Sequence, residues 1–341
     1  MTTPTALTPE SDPGARVRCA EWARDAALSP VGTIGTPAGY LLVEIPLPWP
    51  RDAGETAEGA AVGPLLRPHR YRLQAIAPAN PAVRPQDRRV ILHAKPPGAD
   101  GFAGYRRFEA AAGESLTDTV AALIAAAGSG TAASDARPEF AAPGTDLLLC
   151  THGTRDSCCG RLGASLAVRL AEPGVLPGVN LWRTSHTGGH RFAPTFIVLP
   201  QGTAWGFADL DVVTRVLRQD GDFAAVAGHY RGCTGLDGPQ VQALEAEVLK
   251  QVGWRLLGLR RSGAAEGPHT SLTWHDGDQE ISYEAEVRPG RSIPMPGCMT
   301  PASSAVKSET EWDVAAVRRV PSERRTGAAG LSGGTGEYFI R

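Results

Sequence analysis

The sequence predicts an α/β protein, and three observations carry this prediction. Short apolar runs of strand length alternate with longer amphipathic segments of helix length, most regularly from residue 145 onward. Clusters of Gly, Pro, Ser and Asp separate these segments, as is typical of loops. The chain has 341 residues, of which 42% are hydrophobic, and is therefore long enough for two domains with apolar cores.

The first expected domain is the smaller one and covers residues 15–127. Residues 39–45 and 90–93 are rich in β-branched and apolar side chains and predict strands. An alanine-rich helix is expected over 115–127. The following residues, 128–144, are rich in Gly, Ser, Ala and Pro and are interpreted as a linker.

The second expected domain covers residues 145–320 and alternates strands with helices. Its predicted strands are 146–150, 180–184, 194–199 and a short one after the turn at 200–203. Its predicted helices are 161–171, 209–219 and 239–252. Near its end, Asp276-Gly277 separates two alternating runs and predicts a β-hairpin extension.

Residues 1–14 and 321–341 have the composition of mobile tails, and no internal repeat is evident.

Composition and charge exclude several function classes. A formal charge of −2 indicates no general attraction to nucleic acid or to an anionic membrane. The longest apolar stretch is too short to span a bilayer, and the first residues lack the pattern of a secretory signal. We therefore expect a cytoplasmic protein with reduced cysteines.

Two clusters of potential metal ligands dominate the second domain. The first, CTHGTRDSCC at residues 150–159, lies between a predicted strand and a predicted helix. The second, SHTGGH at residues 185–190, holds two histidines separated by three residues. Two adjacent glycines make a helix costly there, so the histidine pair is expected on a tight loop. Together the clusters predict a metal site on loops of a rigid scaffold.

CTHGTRDSCCG followed by SHTGGHRFAPT resembles the sucrase/ferredoxin-like family. The resemblance implies a thioredoxin-like ferredoxin domain with a [2Fe-2S] cluster held by two cysteines and two histidines. Independently of the family motifs, the segment FAPTFIVLPQG at 192–202 is similar to the part of thioredoxins where a cis-proline opens a strand; the corresponding residue is Pro194. By the family resemblance the function is one-electron transfer, supplied by an outside donor such as a reductase and received by an acceptor, neither of which is identified.

The resemblance places the cluster ligands on specific residues of this chain, namely Cys150, Cys159, His186 and His190. Family members with one cysteine at the end of the motif have it directly before the glycine, so Cys159 matches and Cys158 is an additional thiol that remains the alternative ligand. With two neutral imidazoles the oxidised centre has a formal charge of about zero, against about −2 with four thiolates, which raises the potential. Four neighbours are candidates for orienting the ligands or donating hydrogen bonds to sulfur: Arg155, Asp156, Ser185 and Thr187.

Other interpretations stay open at this point. A Cys2His2 set also suits structural zinc, although eight residues separate Cys150 from Cys159, more than in zinc fingers. Vicinal Cys158 and Cys159 are also compatible with a redox-active dithiol. The family name includes a sucrose-cleaving activity, which would need two converging carboxylates; the candidates are Asp156, Asp209 and Asp211.

The remaining histidines and cysteines are expected to be without a functional role. Hydrogen-bonded surface positions are predicted for His152, His229 and His275. Inert thiols are predicted for Cys19, Cys233 and Cys298. No phosphate-binding loop and no dinucleotide-binding fingerprint is present in the sequence.

Overall fold

A computed structural model describes residues 16–79, 88–129, 144–305 and 307–321. The expected tail 1–14, all of the expected tail 321–341 except its first residue, and most of the expected linker, at 130–143, lie outside the described residues. The strands are β1 Arg16–Val17, β2 Gly39–Glu44, β3 Tyr71–Pro78, β4 Arg89–Ala94, β5 Arg106–Ala111, β6 Thr145–Cys150, β7 Val179–Thr184, β8 Phe196–Leu199, β9 Thr203–Trp205, β10 Tyr230–Cys233, β11 Arg261–Glu266, β12 His269–Asp276, β13 Gln279–Met295, β14 Thr300–Pro301 and β15 Lys307–Val320. The α-helices are α1 Cys19–Asp25, α2 Ala57–Leu66, α3 Leu116–Gly128, α4 Ala164–Leu170, α5 Leu210–Arg218 and α6 Pro239–Val252.

The α/β class is confirmed. A mixed sheet of nine strands has the order β10-β9-β8-β6-β7-β3-β2-β4-β5, and a separate antiparallel sheet has the order β11-β12-β13-β15. The β-hairpin extension expected near the end of the chain is part of this second sheet, which has four strands. Helix α6 packs on the same sheet. The strands β2 and β6 are buried along their length, as expected for central strands covered on both faces.

The nine-stranded sheet consists of two halves with the same topology. In the first half, β2 is parallel to β3 and antiparallel to β4, which pairs antiparallel with β5. In the second half, β6 is parallel to β7 and antiparallel to β8, which pairs antiparallel with β9. In each half a helix joins the two parallel strands, and another follows the last strand of the unit.

The two halves meet in one hydrogen-bonded sheet. Strand β3 of the first half pairs antiparallel with β7 of the second, with Ile76 opposite Thr184 and Pro78 opposite Trp182. Segments 15–127 and 145–320, which the sequence predicts to be separate domains, therefore contribute to one continuous sheet. Since β7 is covered by β3 rather than ending the sheet, the pairing removes an exposed edge strand.

The first described residues contact the segment between β13 and β15. Strand β1 pairs with β14, with Val17 opposite Thr300, and so holds the start of α1 beside the turn at 297–299. The peptide bond before Pro194 is cis, at the position for which the thioredoxin resemblance predicts it.

Candidate metal centre

Both predicted ligand clusters lie at the same edge of the sheet. Strand β6 ends at Cys150 and β7 ends at Thr184, and these two residues are opposite each other in a parallel pair. The loops that follow neighbouring parallel strands emerge at the same end, which is where α/β sheets hold ligands. Topology therefore brings the loops 151–158 and 185–190 together.

Three of the four expected ligands form one compact group. The donor atoms of Cys150, Cys159 and His186 all lie within 4.8 Å of one another. Both thiols are buried, and His186 is half-buried. Its Nδ1 atom is buried and makes no hydrogen bond. A buried imidazole nitrogen without a partner is unfavourable in a metal-free protein and is available as a ligand.

A π-helical turn carries Cys159 back to the end of β6. It spans Cys159–Gly163 and continues directly into α4. Gly163 is required there, because a Cβ atom on it would lie 2.0 Å from the carbonyl oxygen of Cys150. The absence of a side chain thus lets the helix start approach the strand end closely enough to bring the two thiols together.

His190 lies beside this group with different contacts. Its Nδ1 atom is 2.9 Å from Asp156 Oδ2 and 3.3 Å from Cys19 Sγ. Its ring centroid is 5.9 Å from that of His186. The fourth expected ligand is therefore adjacent to the three-donor group, with one ring nitrogen already engaged by a carboxylate.

The two thiols of the group differ in acidity. The neighbouring Cys159 thiol lowers the pKa of Cys150, and burial opposes this effect. The nearby His186 ring lowers the pKa further, so that it lies well below its ordinary value. The pKa of Cys159 is raised well above the ordinary value by Cys150 and by burial. One thiolate is thus favoured in the absence of a cation, while two adjacent thiolates require one.

Asp156 organises the loop that carries the thiols. Its Oδ1 atom accepts hydrogen bonds from the backbone N–H groups of Cys158, at 2.9 Å, and Cys159, at 3.2 Å. Burial would raise the pKa of Asp156, but the contact with His190 and these backbone donors outweigh burial and lower it. Arg155, in contrast, is exposed and borders a cavity of roughly 300 Å³ that His186 also lines.

Two arginines outside both sequence motifs hold the histidine loop by its carbonyl groups. Arg72 donates to the His186 carbonyl at 2.6 Å, and buried Arg231 donates to the Gly188 carbonyl at 3.1 Å. Gly189 has a φ of +65°, and a Cβ atom on it would lie 2.4 Å from the Arg231 guanidinium. The glycine pair therefore permits close approach of an arginine to the loop backbone, a contact that local sequence did not indicate.

Ser185 and Thr187 bond to the scaffold. Ser185 Oγ accepts from the Ala75 N–H at 3.1 Å, and Thr187 Oγ1 lies 2.9 Å from Thr195 Oγ1. Both hydroxyl groups therefore fix the loop to strand β3 and to the residue before β8.

The surface position expected for His152 is wrong, because this side chain is 2% exposed. Its Nδ1 atom accepts from the His186 N–H at 3.0 Å, and its Nε2 atom lies 2.8 Å from the Pro50 carbonyl. Burial lowers the pKa of His152, in keeping with a neutral ring that donates through Nε2. In the sequence, the only indication of a role for His152 was its place two residues after Cys150 in CTHG. In the structure, the Pro50 carbonyl holds one ring nitrogen of His152, and the other nitrogen positions the His186 backbone.

The remaining thiols are divided in a way that the sequence did not suggest. Cys19, Cys158 and Cys298 lie together with Asp156, their donor atoms all within 4.8 Å of one another. The Cys19 thiol beside it lowers the pKa of Cys158 to about 6, and burial opposes this effect. Cys233 is buried elsewhere, where desolvation raises its pKa to about 12, as expected for an inert thiol. His229 and His275 are not fully buried and contact the Gly206 carbonyl and Glu280, respectively.

Two of the carboxylates considered for sugar hydrolysis have ordinary structural contacts. Asp209 caps α5 by accepting from the Val212 N–H at 2.8 Å. Asp211 pairs with Arg215 one helical turn later. These contacts account for both residues without a catalytic role.

Within the described residues, no helix is both long and apolar enough to cross a membrane.

Comparison with known proteins agrees with the motifs. A search of curated proteins and a search of solved structures each returned no match. A sequence model described as sucrase/ferredoxin-like matches residues 30–232, which is more than half of the chain and includes both ligand loops. The chain therefore belongs to the sucrase/ferredoxin-like family.

Proposed function

We propose that this protein is a one-electron carrier that binds a [2Fe-2S] cluster through Cys150, Cys159, His186 and His190. The observation that carries the proposal is the convergence of two buried thiols and a half-buried imidazole at the joint end of two parallel strands. Sulfur and imidazole together are the ligands of mixed cysteine–histidine iron–sulfur centres.

The donor atoms fit such a group in two further respects. Nδ1 of His186 is buried and has no hydrogen-bond partner, so a metal would satisfy an otherwise costly nitrogen. Nδ1 of His190 is engaged by Asp156, which leaves its Nε2 atom as the ligand. A carboxylate on the other ring nitrogen is the common way in which metal-binding histidines are oriented.

The cluster, when bound, would supply reversible uptake of one electron. The protein would contribute protons and orientation. Asp156 Oδ2 lies 2.9 Å from His190 Nδ1 and accepts the hydrogen bond of the Nδ1–H group, so a carboxylate holds this proton. A neutral imidazole becomes more acidic when its iron is ferric, so electron uptake and proton uptake would be linked.

We also propose that the protein functions in the cytoplasm. All six cysteines are free thiols, as expected in a reducing compartment such as the cytoplasm. Electron transfer also requires a donor, of the reductase class, and an acceptor. The cavity beside His186, lined in part by Arg51, Arg72 and Arg155, is where we expect an acidic partner to approach.

Anaerobic purification followed by iron and sulfide analysis, absorption and EPR spectroscopy tests the proposal. We expect a coloured protein with about two irons and two acid-labile sulfides per chain. Cys150→Ser should lose the colour, whereas Cys233→Ser, a buried cysteine in β10, should keep it. Colourless protein from an iron-replete anaerobic preparation, with zinc bound to Cys150 and Cys159, would contradict the proposal and support structural zinc instead.

A further inference from the structure

The group formed by Cys19, Cys158, Cys298 and Asp156 is separate in composition from the proposed cluster ligands. Its members come from three distant parts of the chain: the start of α1, the loop after β6 and the turn between β13 and β14. Pairing of β1 with β14 and a hydrogen bond of 2.8 Å from the Met299 N–H to the Val17 carbonyl bring the first and last parts together. Cys19 and Cys298 both lie outside the family match at residues 30–232.

We propose that these four residues form a second metal site, a tetrahedral Zn²⁺ site with three thiolate ligands and one carboxylate ligand. Three soft thiolates within reach of one another favour zinc over the hard cations magnesium and calcium. Four protein ligands with no vacant position are typical of a structural zinc site.

The distances between the donor atoms support tetrahedral geometry. With Zn–S bonds of ~2.3 Å, two sulfurs on one tetrahedral zinc are ~3.8 Å apart, and a sulfur and a carboxylate oxygen are ~3.6 Å apart. The distance from Cys19 Sγ to Cys158 Sγ is 3.9 Å, and from Cys158 Sγ to Cys298 Sγ it is 3.3 Å. The distance from Cys19 Sγ to Asp156 Oδ2 is 3.6 Å. Small shifts of the side chains would therefore suffice for binding.

Burial gives the site a reason to hold a cation. Cys19 is fully buried and Cys158 is 1% exposed, yet the sulfur atoms of both lie within 4.8 Å of a carboxylate oxygen of Asp156. In the interior neighbouring thiols stay protonated unless a positive charge lies beside them, and a bound cation would stabilise their thiolate forms together with the carboxylate. An ionised carboxylate oxygen has the capacity both to bind zinc and to accept the His190 hydrogen bond. A zinc ion there would join α1 and the turn between β13 and β14 to the loop that carries Cys159.

Metal analysis of the full chain with matched variants tests this site. The protein is purified anaerobically from medium containing iron and zinc, and iron, zinc and acid-labile sulfide are measured on each sample. We expect about one zinc per wild-type chain, and a zinc K-edge absorption spectrum that fits three sulfurs at about 2.3 Å and one lighter atom at about 2.1 Å.

Variants separate this site from the proposed cluster. Cys298→Ala should lose zinc and retain iron and sulfide, whereas Cys150→Ala should lose iron and retain zinc. Cys233→Ala should retain all three. Cys298 lies on a turn and is only partly buried, so its variant should fold even if Cys19→Ala does not.

Three results would overturn the zinc proposal. One is wild-type protein that stays free of zinc after loading with excess Zn²⁺. Another is zinc that is lost in Cys150→Ala but retained in Cys298→Ala, since zinc would then occupy the first group. The third is anaerobic protein in which something other than zinc occupies the group, either a disulfide between Cys158 and Cys298 or a third iron without additional sulfide. A colourless protein that loses zinc only in Cys298→Ala would uphold this site while refuting the proposed electron carrier.

Discussion

Oδ2 of Asp156 lies 2.9 Å from Nδ1 of His190. The same oxygen is 3.6 Å from Cys19 Sγ, and the other carboxylate oxygen accepts the N–H groups of Cys158 and Cys159. One buried side chain therefore connects the histidine loop, the cysteine loop and the N-terminal helix. Its position between the two donor groups makes it the residue whose alteration should affect both.

Asp156→Asn should weaken retention of the proposed cluster by about 10–100-fold, the usual effect of removing a carboxylate behind a metal-binding histidine. The amide cannot replace both carboxylate oxygens as acceptors. The rate at which visible absorbance is lost in the presence of an iron chelator measures the effect. Asp209→Asn is the matched control, because asparagine caps α5 as well as aspartate does. Equal rates in the two variants would show that Asp156 does not orient His190.

The two vicinal cysteines should respond differently to substitution. Cys159 lies with Cys150 and His186, whereas Cys158 lies with Cys19 and Cys298. Cys158→Ser should therefore retain the iron and its absorption spectrum, and Cys159→Ser should lose or strongly alter both. Iron analysis and EPR spectroscopy measure this. The reverse pattern would identify Cys158 as the ligand.

Gly189→Ala should destabilise the fold more than another substitution at a positive φ. Gly174 has a φ of +81° with no atom within 4 Å of an added Cβ, whereas at Gly189 the added Cβ would lie 2.4 Å from Arg231. We expect Gly174→Ala to lower the free energy of unfolding by about 1–2 kcal/mol and Gly189→Ala by about 1–3 kcal/mol more, from overpacking. Urea unfolding gives both values. Equal losses would mean that Arg231 moves aside without cost.

Acid should destabilise the protein in part through Asp146, which is fully buried and accepts from Arg107 Nε at 2.6 Å and from His93 Nε2 at 2.9 Å. Burial would raise the pKa of Asp146, but His93 and Arg107 outweigh it and hold the pKa below the ordinary value. Because the unfolded chain then binds the proton first, the contribution of Asp146 is complete above pH ~4 and is lost as pH falls further.

Asp146→Asn should accordingly lower the free energy of unfolding at pH 7 by up to about 3–5 kcal/mol, since Arg107 loses its buried partner and keeps only the more exposed Glu109, at 2.7 Å. The difference from the wild type should shrink at pH 3. Urea unfolding at both values measures it. A difference that does not change with pH would refute the assigned role of this carboxylate.

The midpoint potential of the proposed cluster should fall as pH rises through the range in which reduction takes up a proton, by at most about 59 mV per pH unit for one proton per electron. His186→Cys should lower the potential, because it adds a negative ligand, and should remove the proton coupling of that residue. His275→Cys, on the exposed hairpin, should change neither quantity. Voltammetry across pH measures both. A midpoint independent of pH and of His186→Cys would mean that this histidine does not bind iron.

Local patterns were sufficient to predict many of the helices and strands. The apolar run predicted as a strand at 146–150 is β6, Thr145–Cys150, and the amphipathic segment predicted at 239–252 is α6, Pro239–Val252. Both depend on side-chain periodicity over neighbouring residues, which is a property of the local sequence. The loop at 185–190 was predictable for the same reason, because the cost of helical glycine is local.

The duplication of the fold, in contrast, was not visible in the residues. Strands β2 and β6 begin units of the same topology, yet GYLLVE and TDLLLC share only their apolar character. Many sequences satisfy the same burial pattern, so a shared topology leaves little trace in residue identity. The pairing of β3 with β7 joins the two halves into one sheet. It was not predictable from local sequence, because β3 and β7 become edge strands only when each half has folded.

The sequence by itself determined the α/β class, the elements that carry the two loops and the residue types that could bind a metal, because periodicity, glycine content and donor chemistry belong to short segments. The tertiary structure alone decided how those donors are divided. It placed Cys159 with Cys150 and His186, Cys158 with Cys19 and Cys298, and buried His152 against the His186 backbone. These contacts join residues far apart in the chain, such as Cys158 and Cys298 at a separation of 140 positions, and long-range packing of strands and loops determines them.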